Sequence, residues 1–175
     1  KLINGNYFLT SDASTNAAFK VACDFIKNSS GNANTLRAAG ATVEDLSNNH
    51  INVTYLDTSI NEWNVSNITD MSGAFSLYNG GSPNFNQDIS SWNVRNVTNM
   101  NYMFAGGVQT GGNQRDETRI NPFNQPIGNW DVRNVKNMQY LFYNSSFNQD
   151  ISSWETGEVT EMLTMFQYNY VFNKP

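Results

Sequence analysis

The chain has 175 residues, which is enough for one domain or for a cap followed by a short repeat array. Its net charge is −5 and its Lys and Arg residues form no cluster, which argues against nucleic acid as a partner. Only 14% of the residues are charged, whereas 29 are asparagine, so most of the polarity is uncharged. No apolar run approaches the ~18 residues of a membrane-spanning helix.

Residues 1–50 lack the repeat described below, and we predict that they form an N-terminal capping region. Asp12 or Ser14 is a candidate N-cap for a helix running to about Lys27, with Phe19 on its apolar face. Cys23 is the only cysteine, so it forms no internal disulfide, and its apolar neighbours predict burial. A cap would cover the apolar edge of the first repeat unit. The alternative is a separate small binding domain.

Residues 51–175 form a repeat of four units and the start of a fifth. Each unit has one tryptophan, a large apolar residue seven positions before it, and isoleucine three positions before it. After the tryptophan come apolar residues at five, eight and twelve positions, as in FNQDISSWNVRNVTNMNYMF and FNQPIGNWDVRNVKNMQYLF. The four tryptophans are Trp63, Trp92, Trp130 and Trp154. Because a fifth unit begins at Phe172, we expect the parent chain to continue past Pro175.

The unit length indicates the architecture. Phe123, Phe147 and Phe172 are 24 and 25 residues apart, within the range of leucine-rich repeats. Longer spacings arise from loop insertions at residues 76–84 and 105–122. Trp92 and Val94 alternate with polar residues, which predicts a short strand, and the apolar spacing over residues 97–104 predicts a helical or 3-10 turn. The predicted fold is an α/β solenoid, a leucine-rich-repeat-like right-handed coil with one short parallel strand and one such turn per 24–25-residue repeat.

From about Leu56 to Pro175 the repeated sequence motif resembles the short repeat of BspA-like bacterial surface proteins, which are relatives of leucine-rich-repeat proteins. The resemblance implies a secreted or lipid-anchored protein, exposed at the cell surface and used in adhesion or interaction. It implies no enzymatic activity. Similar repeats occur in proteins of protists and large viruses, so a virion surface is the alternative location.

The chain offers no candidate catalytic residue, cofactor site or metal site. His50 is the only histidine, and no nucleophile motif accompanies it. Asp88 and Asp150 occupy the same repeat position, but Pro126 stands there in the unit between them, so we expect turn formation rather than calcium binding. The tryptophans take the leucine position of the repeat frame, which favours core packing over a sugar-binding aromatic strip.

Two surfaces are candidate binding sites. We call the first the variable face, because its outward residues differ between units; it comprises Asn64, Ser66, Asn93, Arg95, Asp131, Arg133, Glu155 and Gly157. The alternative is a solvated face with cross-strand pairing. The second surface is the insertion rim, where the longer loop carries Arg115, Asp116, Glu117 and Arg119 and is expected to lie beside the shorter loop. Long loops of this kind are often functional or disordered.

The sequence therefore predicts a non-enzymatic extracellular or cell-surface module that binds a protein or glycan through the variable face and the insertion loops. The alternative is a structural subunit of an extracellular filament, surface coat or viral capsid, whose partners are copies of itself.

Overall fold

A computed structural model describes residues 60–80, 83–109 and 114–175, together with Leu2, Ile3, Asn6, Tyr7, Asn16, Phe19, Lys20 and Cys23. Strand β1 (Leu2–Ile3) pairs antiparallel with strand β2 (Asn6–Tyr7). A 3-10 helix covers Ile60–Glu62. The rest of residues 60–175 that the structure describes consists of turns, loops and isolated bridges. His50 and most of the predicted capping region lie outside the described residues.

The apolar repeat positions form a continuous core. Trp92 and Trp130 are 3% and 4% exposed, and their rings stack 6.5 Å apart at an angle of 2°. Phenylalanines from successive units form two parallel columns, with centroids 5.4 to 6.3 Å apart within each column. The columns are Phe75, Phe104, Phe142 and Phe166, and Phe85, Phe123, Phe147 and Phe172. Because residues at the same repeat position stack on one another, each unit buries the apolar side of its neighbour.

Main-chain hydrogen bonds join neighbouring units in a regular ladder. Met100, Tyr102, Phe104 and Gly106 donate their N–H groups to carbonyls of the third unit. The first and third units repeat this pattern toward their successors, so each of the three interfaces carries four such bonds of 2.7 to 3.1 Å. Alternate residues donate, as they do along a strand, although only single bridges such as Asn99 to Asn137 satisfy the full strand geometry.

This ladder lies in the segment for which we predicted a helical or 3-10 turn. Met103 N–H does donate to the Met100 carbonyl, at 3.1 Å, which is the spacing of a 3-10 turn. The turn is nevertheless not helical, because Tyr102 inside it has φ 58°. The equivalent residues Gly73, Tyr140 and Thr164 have φ 66°, 55° and 56°. A left-handed residue interrupts a right-handed helix, so the segment consists of tight turns that stack between units.

The strand predicted at Trp92–Val94 is not present as a regular strand in this described segment. Side chains, not main-chain ladders, join the units on this side. The Trp92 indole N–H donates to the Ile60 carbonyl at 2.8 Å, and Asn96 Nδ2 donates to the Ser66 carbonyl at 2.7 Å. Trp130 and Trp154 repeat the indole bond to the preceding unit.

Asn16 and Lys20 of the N-terminal region contact the first unit. Asn16, Phe19, Lys20 and Cys23 are helical, and Phe19 and Cys23 are fully buried. The Asn16 carboxamide oxygen accepts the N–H groups of Thr69 at 3.0 Å and of Asp70 at 3.2 Å.

In later units a main-chain carbonyl accepts these two bonds. The Thr69 carbonyl takes the N–H groups of Thr98 at 2.8 Å and of Asn99 at 3.4 Å. Asn16 therefore replaces the carbonyl of a preceding unit, which is the contact expected of a cap.

Candidate functional site

The variable face is built from turns. Asn64, Asn93 and Asp131 each accept, through a side-chain oxygen, the main-chain N–H of the residue two positions later. These donors are Ser66, Arg95 and Arg133, at 3.1 to 3.4 Å. Such Asx turns compete with strand pairing and leave the following side chain pointing away from the core.

A shallow open groove of about 270 Å³ crosses the variable face between the third and fourth units. Two buried residues, Trp130 and Val132, line it and are 4% and 1% exposed. The polar residues that line it are Asp131, Arg133, Ser153 and Glu155. The structure thus brings three of the predicted variable-face residues together in one concave site.

An ion pair dominates the charge of this groove. Arg133 Nε donates to Asp131 Oδ1 at 2.9 Å, and a terminal guanidinium nitrogen donates to Oδ2 at 2.7 Å. The Arg133 hydrogen bond lowers the pKa of Asp131 to about 2, and the positive charge of Arg95 contributes further. The same bond, with the charges of Asp131 and Glu155, raises the pKa of Arg133. Positive and negative groups therefore alternate along the face.

Two of the four insertion-rim candidates are structural. Arg119 Nε donates to Asp116 Oδ2 at 2.7 Å, and its terminal nitrogens donate to the carbonyls of Leu77 at 3.1 Å and Val108 at 2.6 Å. Because Leu77 belongs to the shorter insertion, the described parts of the two loops do lie side by side. Hydrogen bonds from Thr118, and then Arg119, lower the pKa of Asp116 to about 2.

The other two rim candidates, Arg115 and Glu117, form a second ion pair. Arg115 pairs with Glu117 at 2.7 Å, and the Glu117 side chain is 71% exposed. The Arg115 guanidinium also lies 4.5 Å from the ring centroid of Tyr170, in the fourth unit. The longer insertion therefore contacts units on both sides of it and is not a free loop where the structure describes it.

Two of our other interpretations are confirmed. All four repeat tryptophans are buried, with Trp154 the most exposed at 9%. Asp88 and Asp150 each accept the main-chain N–H of a serine two residues later, both at 2.9 Å.

Within the described ranges, no group of three or more His, Cys, Asp or Glu side chains is arranged to hold a metal ion. Among the residues that the structure describes, no helix is both long enough and apolar enough to cross a bilayer.

Our sequence reasoning missed a tyrosine cluster on the rim. The rings of Tyr102 and Tyr140 stack 4.4 Å apart, and Tyr78 packs edge-on against Tyr102 at 4.7 Å. Burial raises the pKa of Tyr102, and the neighbouring tyrosines raise it further. The sequence does contain a signal for this cluster, because Tyr102 and Tyr140 stand at the same repeat position of adjacent units. The stacked and edge-on contacts occupy ring faces, so we read the cluster as packing.

Comparison with known proteins places the chain in a family. No curated protein and no solved structure matches it. A family model matches residues 15–116 and again residues 117–175, which together cover most of the sequence. The chain therefore belongs to the family described as "Mycoplasma protein of unknown function, DUF285".

Proposed function

We propose that this chain is a non-enzymatic interaction or adhesion module of the BspA-like kind, at the cell surface or outside the cell. We further propose that its stacked units form a right-handed leucine-rich-repeat-like solenoid. The partner is a protein or a glycan on another surface, and it binds at the variable face.

The observation that carries this proposal is the groove between the third and fourth units. Inward positions keep their residue type, as in Val94 and Val132, which are both 1% exposed. Outward positions change from unit to unit, as in Asn93, Asp131 and Glu155. A fixed interior with a varied exterior is typical of solenoid binding surfaces, since only the interior is constrained by stacking.

Groove chemistry supports a polar or acidic partner. The guanidinium of Arg133 has five N–H groups, and Asp131 takes two of them. The rest are available to a carboxylate, a sulfate or sugar hydroxyl groups. Glu155 also lines the groove, is exposed and supplies acceptors for hydroxyl or amine donors.

The test is a screen of protein and glycan arrays with the natural chain and with the double variant Arg95→Gln, Arg133→Gln. The matched control is Lys136→Gln, which removes an exposed positive charge outside the groove. We expect the natural chain and the control to retain the same ligand and the double variant to lose it. Ligands bound equally by all three proteins would contradict binding at the variable face.

A second function is favoured by the surface of the fourth unit, where Met162, Leu163, Val171 and Tyr170 are 46%, 60%, 48% and 72% exposed. Apolar exposure concentrated in one repeat unit favours an assembly contact. The chain would then be a structural subunit of a filament, coat or capsid. Electron microscopy of native particles separates the two functions, since a regular array supports assembly and single molecules support binding.

A further inference from the structure

The tyrosine cluster carries hydroxyl groups as well as rings, and Tyr78, Tyr102 and Tyr140 are only half-buried. Tyr143 extends the cluster, with its ring 5.6 Å from that of Tyr140 and 6.2 Å from that of Tyr78. We propose that this cluster binds an uncharged glycan through its phenol hydroxyl groups. The proposal concerns a second surface and does not depend on the variable face.

The first observation is that the hydroxyl groups of the cluster converge. Ring packing alone does not require them, because phenylalanine stacks equally closely in the two columns of the core. Burial, and then the neighbouring Tyr140 and Tyr78, raise the pKa of Tyr102. Burial, followed by Tyr168, Tyr78 and Tyr140, raises the pKa of Tyr143 to about 12. Mutual shifts of this kind require phenol groups that lie close together.

The second observation is that tyrosine stands where the backbone favours other residues. Tyr102 and Tyr140 have φ 58° and 55°, whereas the first unit has Gly73 at this position, with φ 66°. Tyr168 has φ 62° and stands where the third unit has Asn144, with φ 45°. The left-handed region favours glycine and asparagine and is costly for a bulky side chain. Because such strain concentrates at functional sites, it points to a role for these side chains at the surface.

The chemistry of the cluster fits a ligand that is rich in hydroxyl groups and has no charge. A phenol hydroxyl both donates and accepts hydrogen bonds, as a sugar hydroxyl does. The residues that directly precede Tyr102 and Tyr140 are Asn101 and Gln139, whose carboxamides are also uncharged donors and acceptors. The ring contacts fix the hydroxyl groups before a ligand arrives, which lowers the entropy cost of binding.

The test is a glycan array probed with the natural chain and with the double variant Tyr102→Phe, Tyr140→Phe. This variant keeps both rings and removes two hydroxyl groups. The control is Tyr7→Phe, which removes a phenol hydroxyl from strand β2 instead. We expect the natural chain and the control to retain the same uncharged glycan. In calorimetric titration with that glycan, the double variant should bind about tenfold or more weakly, because hydrogen bonds to the ligand are lost.

Two further measurements keep the test independent of the stability of the variant. Equal urea midpoints for the natural chain and the double variant show that the fold is intact. In the natural chain, saturation with the retained glycan should shift the NMR resonances of the Tyr102 and Tyr140 rings. Unshifted ring resonances would contradict binding at the cluster.

Several outcomes would overturn the proposal. One is an array on which no uncharged glycan is retained, and another is equal affinity of the natural chain and the double variant. Retention of anionic glycans alone would indicate a charged site instead. Loss of the same glycan in the variant Arg95→Gln, Arg133→Gln would place its binding on the variable face.

Discussion

Asparagine side chains carry much of the bonding between units. Asn86 Oδ1 accepts the N–H of Asn124 at 2.8 Å, Asn124 Oδ1 accepts that of Asn148 at 2.8 Å, and Asn148 Oδ1 accepts that of Asn173 at 3.0 Å. A carboxamide both donates and accepts, so one residue type can repeat at one position indefinitely. This bonding explains why the chain is rich in asparagine and poor in charge.

The Asp131–Arg133 pair predicts a pH dependence at the groove. The pKa of Asp131 lies at about 2, below its ordinary value of 3.8, so the pair favours the folded state above pH 3.8 and this contribution is lost as the pH falls through about 2. Because the Arg133 and Asp131 side chains are 58% and 31% exposed, solvent screens the pair and its contribution to the unfolding midpoint is small. We expect Arg133→Gln to raise the pKa of Asp131 toward 3.8. The measurement is an NMR titration of the side-chain carboxyl groups. Asp88, whose pKa is lowered mainly by the N–H of Ser90, serves as the internal control. An unchanged Asp131 midpoint would show that the pair does not form.

At Gly106 the main chains of two neighbouring units approach each other closely. A Cβ atom at this position would lie 2.0 Å from the main-chain oxygen of Asn144, which cannot move without disturbing the ladder. We expect Gly106→Ala to lower the free energy of unfolding by about 1–3 kcal/mol or more, as overpacking does. Gly157→Ala is the control, since nothing lies within 4 Å of its added Cβ. Equal urea midpoints for the two variants would contradict the described packing.

At the scale of elements, the sequence predicted which residues face inward but not how the main chain reaches those positions. The apolar spacing over residues 97–104 suits a 3-10 turn, and it equally suits stacked turns that contain a left-handed residue. The φ of 58° at Tyr102 could not be predicted from its residue type, because the left-handed region favours glycine and asparagine. The polar alternation around Trp92 suits a strand, but Asn93 diverts the N–H of Arg95 into a turn.

The insertion rim shows the same limit. Its charged residues identified a surface element, and the adjacency of the two loops followed from the stacking of units. The sequence did not predict which of the charged residues have a structural role. Arg119 bonds to the main-chain carbonyls of Leu77 and Val108, and a pattern of residue types carries no information about main-chain acceptors.

The capping contact of Asn16 belongs to this scale as well. We expect Asn16→Ala to cost about 0.5–2 kcal/mol, as loss of a side-chain cap on main-chain N–H groups does. Asn16→Asp keeps the acceptor for Thr69 and Asp70 and should cost less than the alanine change. Urea unfolding of the three proteins measures the difference. A stability of Asn16→Ala equal to that of the natural chain would mean that the cap does not hold the first unit.

For the whole molecule, the residues that hold the fold lie on a different side of each unit from the variable face, where we propose that a partner binds. The interior is held by stacked rings, indole bonds and main-chain ladders that repeat from unit to unit. On the variable face, the carbonyls of Ser66 and Arg95 accept hydrogen bonds from the next unit. The outward side chains of Asn93 and Arg133 bond within local turns, so these side chains are free to differ. Neighbouring residues of one unit should therefore contribute very unequally to the free energy of unfolding.

Equilibrium unfolding of Trp130→Ala beside Arg133→Ala tests this claim most directly. Trp130 is 4% exposed and donates to the Ile89 carbonyl at 3.2 Å, so its loss should cost ~3–5 kcal/mol. Arg133 is exposed and bonds only within its own turn among the described residues, so its loss should leave the unfolding midpoint nearly unchanged. Equal losses of stability in the two variants would contradict the division between a fixed interior and a free variable face.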